Sequence, residues 1–90
     1  MRTVKYKKFE DLKRAILETD YELSKEIIEG IKENKEKKEK YLLMSLYAED
    51  ANSYIDIELD PSDTEHCLLS NLKIMEREED YDGCLDILEL

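Results

Sequence analysis

Apolar residues recur every three or four positions along much of this chain. Phe9, Leu12, Ala15 and Ile16 form one such row and Leu23, Ile27, Ile28 and Ile31 a second, with Asp20 between them where a helix N-cap would sit. The spacing predicts two antiparallel helices joined by a tight turn near Thr19-Asp20. Residues 33–40 contain no apolar side chain and are expected to be solvated. Beyond them Tyr41, Met44, Tyr47, Ala48, Ala51, Tyr54, Ile55 and Leu59 fall on one arc of a helical wheel, which predicts a long third helix ending before Pro61. The rival for this segment is a β-hairpin, because Ile55, Ile57 and Leu59 alternate with Asp56 and Glu58 and residues 49–53 could make the turn; the helix is preferred. Asp60 and Pro61 suit the start of a further helix, with Leu68, Leu69, Leu72 and Met75 as its inward row. Asp80 then opens a last short helix carrying Cys84, Ile87 and Leu88.

Composition supports helix over sheet. Gly30, Gly83 and Pro61 are the only glycines and proline, and strong helix formers dominate the remainder. The expected fold is therefore all-α, a small helical bundle of four or five helices in a single domain spanning residues 1–90, with helical hairpins at about 9–32 and 61–90. The alternative is α+β with a β-hairpin at 41–59. Tyr21 and Tyr81 are expected to cover the turns of the two hairpins, and Tyr41, Tyr47 and Tyr54 to line the third helix.

The two hairpins resemble each other. A shift of 60 residues superposes Leu12-Lys13 on Leu72-Lys73 and Asp20-Tyr21 on Asp80-Tyr81, and it also aligns Glu18, Ile27 and Glu29 with identical residues. The unit this implies is a helical hairpin with an Asp-capped second helix, a small residue (Ser24 or Cys84) where the helices approach, and Ile27 or Ile87 in the core. The run from Leu12 to Ile27 and its copy resemble the UVR helical hairpin of bacterial excision-repair subunits and small adaptor proteins, a motif used for protein–protein contact. The resemblance implies a docking hairpin. The family pattern carries alanine where this chain has Ser24 and Cys84, and arginine where it has Ile28 and Leu88, so a role in excision repair does not carry over.

Charge adds a second asymmetry. Residues 1–48 hold 12 Lys and Arg against 10 Asp and Glu, whereas residues 49–90 hold 14 Asp and Glu against only Lys73 and Arg77. With a net charge of −10 over the whole chain, direct binding to nucleic acid or to an anionic membrane is not expected. The acidic half, with Glu49, Asp50, Asp56, Glu58, Glu76, Glu78, Glu79, Asp82 and Asp86 as the candidate contact residues, would instead suit a partner protein with a basic surface. Acids in such numbers also serve simply to keep a small domain soluble.

Catalytic and metal-binding patterns are absent from the sequence. His66 and Cys67 are neighbours that a helix would point about 100° apart. The acids around Asp56–Asp60 begin like a calcium loop, but Pro61 stands where that loop needs glycine and Cys67 where it needs the closing glutamate. No glycine-rich phosphate loop exists. No enzyme activity, cofactor or metal is expected. Without an apolar run long enough for a membrane span or an N-terminal signal, and with only Cys67 and Cys84 as thiols, a cytoplasmic protein with reduced cysteines is expected. Together these features predict a non-enzymatic acidic protein-binding domain, monomeric or homodimeric. Its sharpest form is a small inhibitor or antagonist, of the kind encoded by phages or mobile elements, that occupies a nucleic-acid-binding surface on its partner. The alternative is a regulatory adaptor docking through the apolar faces of its hairpins.

Overall fold

A computed structural model describes residues 2–90. It has three strands and four helices, in the order β1 (Thr3–Tyr6), α1 (Phe9–Glu18), α2 (Tyr21–Glu33), β2 (Tyr41–Ala48), β3 (Ser53–Leu59), a 3₁₀ turn (Pro61–Asp63), α3 (Thr64–Arg77) and α4 (Tyr81–Leu88). The fold is thus α+β, and the all-α helical bundle expected from the sequence is overturned. The four predicted helical rows outside residues 41–59 do fold as helices. The segment 41–59 is the β-hairpin β2–β3, and β1 adds a strand that the periodicity did not indicate.

The sheet order is β1-β2-β3, with β1 parallel to β2 and β2 antiparallel to β3. Parallel pairing of β1 and β2 requires a long crossover, and α1 and α2 supply it. Both helices lie on one face of the sheet, where Leu12, Ala15, Leu23, Ile27 and Ile31 meet Met44, Leu46 and Ala48, and Val4, Tyr6, Ile55 and Ile57 border the same core. The opposite face carries Lys5, Tyr54, Asp56 and Glu58, all exposed, with the rings of Tyr47 and Tyr54 stacked 4.5 Å apart between centroids. One helical layer on one sheet gives a flat molecule, only 17 Å across its thinnest axis.

A bulge explains why β2 reads as helix. Leu42 pairs with Glu58 and Met44 with Ile57, so Leu43 is an extra residue on β2. It turns inward beside Met44, and with Ser45 and Leu46 also buried the four consecutive residues 43–46 lack the period-two signature of a strand. Leu43 packs on α2 at Gly30, where a Cβ would stand 2.7 Å from its Cδ1. The turn between the strands uses Asn52 at φ 46°, and its Asp50 carboxylate accepts a hydrogen bond from the Phe9 backbone N–H (2.8 Å), capping α1 from across the chain.

Both helical stretches related by the 60-residue shift make the same turn. Thr19 (φ 44°) ends α1 and Glu79 (φ 58°) follows α3, each in the left-handed region. The next residue caps the following helix: Asp20 accepts from Leu23 N–H (2.8 Å) and Asp80 from Gly83 N–H (2.9 Å). The settings then diverge, since α1 and α2 rest on the sheet while α3 and α4 pack on each other and on α2.

Candidate protein-docking surface

The C-terminal hairpin α3–α4 is fastened to α2 by an apolar cluster and by three polar ties. Ile28 from α2, Met75 from α3 and Ile87 from α4 are buried together, with Tyr21, Leu68, Leu72 and Cys84 around them. Between α2 and α3, the buried Ser24 hydroxyl donates to Asn71 Oδ1 (2.5 Å), and Asn71 Nδ2 donates to the Cys67 carbonyl (2.7 Å). Toward α4, the Tyr21 hydroxyl donates to Asp80 Oδ2 (2.5 Å) and Lys32 Nζ donates to Asp86 Oδ2 (2.8 Å). Lys25 lies 4.6 Å above the Tyr21 ring.

The Tyr21–Asp80 tie has a defined pH window. The hydrogen bond to Asp80 pushes the Tyr21 phenol up to about 12, and the same bond, helped by the Gly83 N–H, holds the Asp80 carboxyl below the usual aspartate range. Asp80 therefore contributes stability above the unfolded aspartate pKa of about 3.9, which is lost as pH falls through the lower folded value; Tyr21 contributes below about 10, which is lost as pH rises toward 12. We expect the difference in melting temperature between the protein and its Tyr21→Phe variant to be flat from about pH 5 to 9 and to shrink outside that window. A difference independent of pH would show that the bond contributes nothing.

The candidate acids do not form one face. Asp56 and Glu58 project from the open side of the sheet, away from the helices; Asp56 accepts from the Ser45 hydroxyl (2.7 Å) and Glu58 pairs with Lys40 (3.2 Å). Glu49 and Asp50 lie in the β2–β3 turn, where Asp50 serves as the α1 cap. Glu76, Glu78, Glu79, Asp82 and Asp86 do share the α3–α4 hairpin, and Asp86 is partly neutralised by Lys32. Among the described residues, Glu76, Glu78, Glu79, Asp82 and Glu89 have no ion-pair partner within 4 Å, so uncompensated negative charge gathers at the end of α3 and along α4.

The same hairpin exposes apolar surface that periodicity alone had assigned differently. Tyr81, expected to cover a turn, is 70% exposed, and Leu85 and Leu88 are 56% and 69% exposed, while Ile87 is buried. A helix of eight residues with apolar residues on two sides cannot bury both against one neighbour, and nothing in the sequence states which side will be covered. Tyr54, expected to line a helix, is exposed on the sheet.

The chemistry available elsewhere is limited. His66 is exposed on α3 whereas Cys67 turns toward the core, and burial pushes the Cys67 thiol up, which suppresses its thiolate near neutral pH. Cys84 is shifted the same way, by desolvation first and by Glu76 and Asp80 next. A cleft of about 230 Å³ lies between α2 and α4, floored by Ile28 and Met75 and rimmed by Lys25, Glu29, Asp80 and Asp82. Among the described residues, no group of three or more His, Cys, Asp and Glu side chains is placed to hold a metal ion, and no helix is long and apolar enough to cross a membrane. Comparison with protein-family models, with curated proteins and with solved structures finds no match to this chain.

Proposed function

We propose that this domain is a non-enzymatic protein-binding module whose acidic α3–α4 hairpin docks on a basic surface of a partner, acting as an inhibitor or antagonist where that surface serves to bind nucleic acid. The observation that carries this reading is the concentration of carboxylates without an ion-pair partner, Glu76, Glu78, Glu79 and Asp82, on one hairpin. Attraction between such a surface and a cationic groove raises the association rate and weakens as salt is added. A groove built for phosphates is suited to receive carboxylates, since arginine and lysine donate to both.

The test begins with capture of partners on the immobilised domain, followed by reconstitution with the purified partner and measurement of affinity at low and high salt. Replacing Glu76, Glu78 and Glu79 with Gln and Asp82 with Asn together should weaken binding at low salt by more than tenfold, and nucleic acid should compete with the unmodified domain. Affinity unchanged by the four substitutions would overturn the reading. So would a complex indifferent to salt.

A further inference from the structure

The 60-residue shift also relates faces of α2 and α4 whose surroundings differ. Tyr21, Lys25 and Ile28 on α2 correspond to Tyr81, Leu85 and Leu88 on α4, at spacings of four and three residues that put each set in a single helical row. On α2 this row faces the hairpin, with Ile28 buried and Tyr21 and Lys25 partly so. Ile28 is 3% exposed against Met75 and Ile87, the Tyr21 hydroxyl is bonded to Asp80, and Lys32, one turn further along, pairs with Asp86. On α4 the corresponding row is bare and apolar at all three positions.

We infer that the Tyr81–Leu85–Leu88 face of α4 is a seat for an amphipathic helix of a partner protein, one whose apolar stripe is flanked by lysine or arginine. This rests on the reading of the C-terminal hairpin as a docking surface for a basic partner, and it names the element the partner presents. Charge complementarity selects the occupant. Asp82, Asp86 and Glu89 form the adjoining row one step around α4, and Asp82 and Glu89 have no cation of their own. A second copy packed α4 against α4 would bring two such acidic rows together, which disfavours it. A lysine-flanked helix would satisfy them, and α2 already demonstrates the chemistry within the chain: an apolar residue on the hairpin's core with a lysine reaching its aspartate.

The test uses three synthetic helical peptides of equal length: one with a leucine stripe flanked by lysine, one of the same composition with the stripe scrambled, and one with the stripe flanked by glutamate. Each is titrated into the isotopically labelled domain while backbone amide shifts are followed. The expected result is binding of the first peptide alone, with shifts confined to the α3–α4 hairpin, and at least a tenfold weakening in Leu85→Ser/Leu88→Ser. Because both leucines are exposed, that variant should keep its helical content; Leu85→Gln alone provides a milder check on the same face. Equal binding of the scrambled peptide would overturn the seat on α4 while leaving the electrostatic reading of the hairpin intact. Equal binding of the glutamate-flanked peptide would overturn the basic character of the occupant. A mass that rises with concentration and becomes monomeric in Leu85→Ser/Leu88→Ser would replace the partner helix with a second copy. Failure of both lysine peptides to bind would remove the seat on α4, while the basic-partner reading stands or falls by the four-carboxylate variant and its salt dependence.

Discussion

Replacing Met75 with alanine is expected to destabilise the domain by about 2–5 kcal/mol, the usual range for truncating a fully buried large aliphatic side chain. Met75 is 0% exposed and stands where α2, α3 and α4 meet, touching the cluster of Ile28 and Ile87. Its sulfur is so close to α4 that a Cβ on Gly83 would lie 2.7 Å away, so the side chain fills the space that glycine leaves open. At roughly 0.05–0.15 kcal/mol per residue, total stability should be on the order of 5–13 kcal/mol, and the loss is a large share of it. Urea denaturation measures the change, and amide exchange should show α4 opening before the sheet. The first hairpin suggests a repair. Its equivalent pair is Ala15 and Leu23, both buried, in place of Met75 and Gly83, and Leu23 is compatible with the same Asp cap. Met75→Ala removes the sulfur contact, but a Cβ on Gly83 would still stand 2.9 Å from Asp80 Oδ2, which also holds the Tyr21 hydroxyl, so Met75→Ala/Gly83→Leu is expected to recover less than half of the loss. Recovery of more than half would mean that the two hairpins are interchangeable at this layer.

Ser24→Ala is the second large effect, at about 1–3 kcal/mol, because it strands the buried Asn71 Oδ1 without a donor. The asymmetry of buried polar groups gives a sharper expectation. Removing both partners, in Ser24→Ala/Asn71→Leu, should cost less than the single change, since no unpaired atom remains and the leucine joins an apolar surround. Chemical denaturation of the single and double variants decides the point. A double variant less stable than Ser24→Ala would indicate that the Asn71 bond to the Cys67 carbonyl matters more than the α2–α3 tie.

The helices were legible in the sequence because their buried rows repeat faithfully, as Leu12 and Ala15 do in α1 and Leu23, Ile27 and Ile31 in α2. Asp20, Asp60 and Asp80 were also legible as caps, since short acceptors ahead of apolar rows have a local purpose; Asp60 proves to cap the 3₁₀ turn by accepting from Ser62 N–H rather than opening α3 directly. The sheet was hidden for specific reasons. The bulge at Leu43 erased alternation in β2, and β1, with only Val4 and Tyr6 turned inward, is too short to carry a period. Strand formation here is decided by pairing partners distant in sequence, which local propensity does not encode. The candidate site was half legible. Clustering of acids beyond residue 48 is a property of composition, but their division between the open sheet face and the α3–α4 hairpin follows from the β-hairpin that the helical assignment displaced. The bare row of α4 could be found only once α2 was seen to occupy the other side.

The parallel pairing of β1 with β2 also orders the events of folding. The β2–β3 pair closes across a turn of a few residues, whereas β1 can dock only after residues 7–40 have been looped around it and β2 is in place to receive it. On these loop-closure grounds β1 is expected to dock last, which pulsed amide exchange during refolding would show as late protection of residues 3–6, and a chain in which it has not yet docked would present the β1-side edge of β2 as an open template for pairing with other chains.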